Sequence, residues 1–142
     1  MAQSDLRLRR ARLIQRVRTV EKQAAAAQAS AAFEAHARVM STSARIEGLA
    51  QSYADSTDGQ FAHDLSATLA MGAALRAMSG NARAEAARAS EIARARLSDL
   101  SAAERRRQAA QDRHGDVLRE IAAKAAHGPV PAARNLSARE DG

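Results

Sequence analysis

The sequence predicts an all-α chain folded as a long two-helix antiparallel coiled-coil hairpin, and three observations carry that prediction. Alanine supplies 38 of the 142 residues, and it has the highest helix propensity of any residue. Apolar residues recur at heptad-like spacing from Leu6 onward. The only two prolines, Pro129 and Pro131, follow every periodic segment, so no ring interrupts a helix before the last residues. No stretch alternates apolar and polar side chains as a half-buried strand would.

The first helix is expected over residues 6–53. Its apolar stripe runs Leu6, Leu13, Val17, Val20, Ala24, Ala27, Ala31, Ala35, Val39, Thr42, Ile46, Leu49 and Tyr53. The steps are seven, then alternate four and three, with a run of three consecutive fours from Ala27 to Val39 that reads as a local stutter. Ala54 to Gln60, ADSTDGQ, gathers Asp, Ser, Thr and Gly, the residues of turns and N-caps. A turn over 54–60 follows. The second helix is expected over 61–127, with Phe61, Leu65, Leu69, Met71, Leu75 and Met78 opening its stripe and Ile92, Leu97, Leu100, Val117, Leu118 and Ile121 continuing it. Ser79-Gly80-Asn81 allows either a continuous helix or a kink, because glycine costs about 1 kcal/mol inside a helix and suits a C-cap. Gly115 raises the same choice more weakly. Gly128-Pro129-Val130-Pro131 ends the helix, and 128–142 read as a disordered tail after a hairpin domain of 1–127.

Placing the turn near Thr57 pairs residue i with about 115 − i in an antiparallel coiled coil. Leu13 is then expected opposite Ala102, Val17 opposite Ser98 and Ile46 opposite Leu69, with Ala110 to His127 overhanging. At 1.5 Å per residue the two arms would be about 70 and 100 Å long. The seam residues are too small to fix the number of strands, so monomer and four-helix-bundle dimer both remain open.

Composition excludes several classes of function. There is no cysteine, hence no disulfide or thiolate metal site. No apolar run is long enough to cross a bilayer. Arg9-Arg10 has the look of a twin-arginine signal, but no apolar segment or cleavage site follows, and the helical periodicity outruns any transit peptide. His36, His63, His114 and His127 are far apart and lack the spacing of metal ligands. No phosphate-binding loop, nucleophile elbow or catalytic carboxylate pair is present. Asp112 and Asp116 stand beside Arg113 and Arg119 and read as helix-surface ion-pair partners, and Met71 and Met78 as seam residues. The expectation is a protein that is not an enzyme and needs no cofactor.

The charge points instead to a partner. Twenty arginines and two lysines face 16 acids, for a net charge of +6, a balance that attracts acidic surfaces. Folding the hairpin brings Arg7, Arg9, Arg10, Arg12, Arg16 and Arg18 alongside Arg105, Arg106 and Arg107, with Arg113 and Arg119 a little beyond. Glu47, Asp55, Asp58 and Asp64 gather at the other end. The candidate partner-binding residues are Arg7, Arg9, Arg10, Arg12, Arg16, Arg105, Arg106, Arg107 and Arg113. Nucleic acid could use these arginines with salt-dependent affinity, but stacking needs aromatics, and Phe33, Tyr53 and Phe61 fall at or toward the turn. A membrane surface suits a basic amphipathic helix, yet the partner helix is expected to claim the same apolar face.

Leu13 to Ala27, LIQRVRTVEKQAAAA, and Glu104 to Ala126, ERRRQAAQDRHGDVLREIAAKAA, on a small basic cysteine-free hairpin resemble the flagellar export protein FliJ and the type III secretion stalk family. The resemblance implies a stalk similar to the central shaft of rotary ATPases. Its paired-terminus end would enter the hexameric export ATPase, and it would contact the membrane export gate and export chaperones. It would be cytoplasmic and peripherally associated with the inner face of the bacterial cell membrane. In that family the stalk couples ATP hydrolysis and proton-driven transport to substrate delivery, which would make the arginine tip the ATPase-facing surface. The competing classes are a nucleic-acid-associated basic coiled coil and a generic oligomerising scaffold.

Overall fold

The computed structural model describes residues 2–56 and 65–127, and every one of them is helical. Helix α1 spans Ala2–Ser56 and helix α2 spans Leu65–His127. The two pack against each other as a hairpin, as the alanine content and the heptads predict. Ala54, Asp55 and Ser56 belong to α1 rather than to a turn, because nothing in YADS forbids helical geometry once the preceding turns are formed. The remainder of the expected turn, the first residues of the second helix and the tail lie outside the described residues. Helix α2 runs without a break through Gly80 and Gly115. A Cβ at Gly80 would meet nothing within 4 Å, so this glycine answers no packing need.

The chain forms two compact units. Unit 1 comprises residues 1–24 and 101–142, and unit 2 comprises residues 25–100. Within each, α1 and α2 meet along a seam of unbroken four-three steps, though not the seam the large apolar residues suggest. In unit 1, α1 turns Ser4, Leu8, Ala11, Gln15, Arg18 and Lys22 inward against Ala103, Arg107, Ala110, His114, Val117 and Ile121 of α2. In unit 2 the α1 series is Ala25, Ala29, Ala32, His36, Val39, Ser43, Ile46, Ala50 and Tyr53, and the α2 series includes Gly72, Leu75, Ser79, Ala82, Ala86 and Ala93. Among the described residues, the buried apolar ones are seven alanines and Val117. Small side chains let helix axes approach closely, which favours backbone and Cβ contacts over large interdigitating side chains.

This corrects the expected seam. Leu6, Leu13, Val17 and Val20 are exposed, as are Leu49, Leu65, Leu69, Met71, Met78, Ile92, Leu97 and Leu118. Val39, Ile46, Leu75, Leu100, Val117 and Ile121 are at least half-buried as expected. The stutter disappears too. It marked the point where the outer Leu/Val/Ala stripe was joined to the true seam at Val39.

The register also differs. In unit 1 Arg7 pairs with Glu120 and Lys22 with Glu104, both at 2.8 Å, so residue i faces about 127 − i. Leu13 and Val17 therefore do not lie at the levels of Ala102 and Ser98, and Ala110 and Val117 are buried instead of overhanging. In unit 2 Glu47 pairs with Arg83 at 2.8 Å, which rules out Ile46 opposite Leu69. Turn composition alone does not fix register, because the heptad pattern is nearly self-similar under a shift of one repeat.

Candidate interaction site: the arginine-rich unit

All nine candidate arginines fall within unit 1. That unit carries 15 Arg and Lys against 8 Asp and Glu, a net charge of +7, whereas unit 2 carries 7 against 8, a net charge of −1. The excess cation charge of the chain is therefore confined to one unit, where like charges raise the local potential.

Their local settings separate the nine into groups. Arg107 sits on the seam and is the least free. Its Nε and Nη2 donate to the two carboxylate oxygens of Glu104 at 3.0 and 2.8 Å, and its Nη1 donates to Gln111 Oε1 at 2.7 Å. Lys22 from α1 closes on the same carboxylate at 2.8 Å. Paired chiefly with the Arg107 fork and then with Lys22, the Glu104 carboxyl is held down at about 2, although partial burial opposes the shift. Arg107 is raised in turn by Glu104. The bidentate pair lies within α2 and Lys22 supplies the link to α1, so the cluster ties the two helices together and uses Arg107 internally. The sequence signal for it was the Glu104-Arg107 spacing of three, which places the pair on one helix face.

Arg7 is occupied by Glu120 across the helix pair, and Arg105 donates to Ser101 Oγ at 3.0 Å. Arg9, Arg10, Arg12, Arg16, Arg106 and Arg113 have no ion-pair partner among the described residues. Arg18 and Arg119, outside the candidate set, are held by Glu21 and Asp116. Three candidates converge on one feature. Arg7, Arg10 and Arg113 line a groove of about 360 Å³ together with Ala11, Ile14 and Val117, with Arg7 already paired to Glu120. Arg9, Arg12 and Arg16, at spacings of three and four, share another flank of α1.

Other expected features fall elsewhere. Glu47 is not part of an unopposed acidic end, since Arg83 bonds it, and Asp55 accepts from Gln51 Nε2 at 3.3 Å. Asp58, Asp64, Phe61 and His63 lie outside the described residues. Phe33 and Tyr53 belong to unit 2. A second groove, of about 530 Å³, lies wholly in unit 2 with Glu47, Gly72, Arg76 and Arg83 among its walls. Among the described residues, no group of three or more His, Asp or Glu side chains could hold a metal ion. His114 is a half-buried seam residue whose Nε2 finds no hydrogen-bond partner among the described residues. No described helix is long and apolar enough to cross a membrane. Comparison with family models, with characterised proteins and with solved structures gives no match.

Proposed function

We propose that the chain is a non-catalytic coupling protein that presents its arginine-rich unit to an acidic partner, in the manner of the stalk of a flagellar type III export apparatus. In that role the unit faces a hexameric export ATPase ring, and the hairpin also contacts an export gate membrane protein and export chaperones, from the cytoplasm at the inner face of the membrane. The observation that carries the reading is the division of charge, +7 against −1, together with Arg9, Arg10, Arg12, Arg16, Arg106 and Arg113 of unit 1, which have no ion-pair partner among the described residues. Guanidinium groups held on helices and not neutralised internally favour an acidic surface at short range and speed encounter with it. The resemblance of the first and last helical segments to the stalk family supplies the particular acidic partner.

The test reverses charge where it is free. Arg9→Glu, Arg10→Glu and Arg106→Glu together are expected to lower stimulation of the purified export ATPase at least tenfold while helicity, read by circular dichroism, is unchanged. Full stimulation by the triple variant overturns the stalk reading. A nucleic-acid partner would use the same arginines. It would appear as duplex or single-strand binding whose affinity falls steeply with salt, and the remoteness of Phe33 and Tyr53 from these arginines in sequence makes it the weaker reading.

A further inference from the structure

In unit 1, helix α1 packs one face on α2 and carries, on the other, an apolar stripe that α2 leaves uncovered. At about 100° per residue, the seam series Leu8, Ala11, Gln15, Arg18 and Lys22 and the outer series Leu6, Leu13, Val17, Val20 and Ala24 centre on roughly opposite sides of the helix. The outer series is open to solvent: Leu6, Leu13, Val17 and Val20 are 64, 62, 48 and 63% exposed. Arg9 and Arg16 border it on one side and Arg10 on the other, and none of the three has an ion-pair partner among the described residues. A membrane surface is an unsuitable partner for this stripe only if α2 covers it. It does not.

We propose that this outer stripe of α1 docks an acidic amphipathic helix of another protein, as a second coiled-coil seam on the face turned away from α2. Two features select that occupant. The stripe is narrow and its steps are seven, four, three and four, the spacing by which one helix packs its ridges against another. A helix lying in a lipid interface presents a broader apolar face, usually with large aromatic residues, and none stands here. The borders are cationic, so the partner's flanking positions should carry Glu or Asp, as they do in heterospecific coiled coils. A second copy of the same stripe would bring Arg9, Arg10 and Arg16 of each chain together, which like-charge repulsion opposes. The proposal is independent of the export-ATPase reading, since it concerns the aliphatic face and any acidic helix that fits it.

The experiment uses the full chain and a labelled 28-residue probe peptide with Ile and Leu at its seam positions and Glu flanking them, read by fluorescence anisotropy. The matched control carries Lys in place of Glu. Binding of the Glu peptide at least tenfold tighter than the Lys peptide is expected. Leu13→Ser with Val20→Ser should weaken the Glu peptide at least tenfold, and Arg9→Glu with Arg16→Glu should invert the preference. These residues are exposed, so unchanged circular dichroism is expected of both variants. Equal binding of the two peptides, or insensitivity to the Leu13/Val20 change, overturns the proposal. So does Leu13/Val20-dependent binding to phosphatidylglycerol vesicles without peptide binding, which would assign the stripe to a lipid surface. Leu13/Val20-dependent dimerisation in sedimentation equilibrium would assign it to a second copy and would equally overturn it.

Discussion

Units 1 and 2 are built from the same two helices and the same heptad rule, yet they close their seams with different chemistry. In unit 2 the buried seam positions are Ala29, Ser43, Ala82, Ala86 and Ala93, and a cross-helix ion pair, Glu47 with Arg83, lies at the surface. Unit 1 alternates Ala11, Ala103, Ala110 and Val117 with Arg18, Lys22, Arg107 and His114 along its seam, and ties the helices through Glu104. Buried apolar area is similarly scarce in both. What differs is that unit 1 replaces part of it with charge-assisted bonds, which also fix register in a way that alanine cannot. A neutral small-residue seam slides with little penalty. One carrying Lys22, Glu104 and Arg107 at a single level does not.

The largest expected effect tests whether alanine seams are the true contact. Ala86→Leu in unit 2 and Ala110→Leu in unit 1 should each destabilise the hairpin by about 1–3 kcal/mol, because a close-packed interface has no room for three more carbons. Leu13→Ala and Leu69→Ala should each cost less than about 0.5 kcal/mol, since exposed side chains away from special features contribute little. Urea denaturation followed by circular dichroism reads all four. A larger loss from the leucine truncations than from the alanine enlargements would return the seam to the large apolar residues and collapse the comparison.

That inversion explains how much of the architecture was legible in the sequence. Helix content, the absence of strands among the described residues and the pairing of two helices as a hairpin followed from alanine, proline placement and periodicity, all local properties. The buried face did not follow. In an alanine-rich helix, two stripes obey the same period, and hydropathy ranks the one with Leu and Val first. The discriminating sign was geometric: Ala11, Gln15, Arg18, Lys22, Ala25, Ala29, Ala32, His36, Val39, Ser43, Ile46, Ala50 and Tyr53 keep the four-three rhythm without a stutter, and the leucine stripe needs one. Of the candidate site, the gathering of arginines in one unit was legible from charge and antiparallel pairing. The separation of Arg107 from Arg9, Arg10 and Arg16 was not, because it depends on a register shifted by about twelve residues from the one that turn composition implies.

Acid should act on the two units unequally. The Glu104 carboxyl is held at about 2 by Arg107 and Lys22, against 4.5 for the free side chain. A carboxyl depressed on folding stabilises the fold fully above its unfolded value and loses that contribution as pH falls through the folded one. The contribution of Glu104 is therefore complete above pH 4.5 and disappears between about pH 4.5 and 2. Amide protection, corrected for the intrinsic pH dependence of exchange, should be lower at pH 3 than at pH 6 around Ala103 and Ala110 in the wild type. The extra acid sensitivity there should vanish in Glu104→Gln, which starts from the weakened state at both pH values. Identical pH dependence in the two proteins would mean that the cross-helix cluster does not hold unit 1.

The smallest expected effect concerns the pair that occupies the corresponding cross-helix place in unit 2. Glu47 and Arg83 meet at 2.8 Å, but their side chains are 46 and 70% exposed. Water screens such a pair, and holding two long side chains in one geometry costs rotamer freedom. A double-mutant cycle of Glu47→Ala and Arg83→Ala should give a coupling of about 0.5 kcal/mol or less, fading further in 0.5 M salt. The same cycle on Lys22 and Glu104 should give the larger coupling, because Arg107 holds Glu104 in place and removes the freedom that Lys22 would otherwise have to restrict. If the two couplings were equal, preorganisation by Arg107 would contribute nothing, and the chemical difference between the seams would reduce to composition alone.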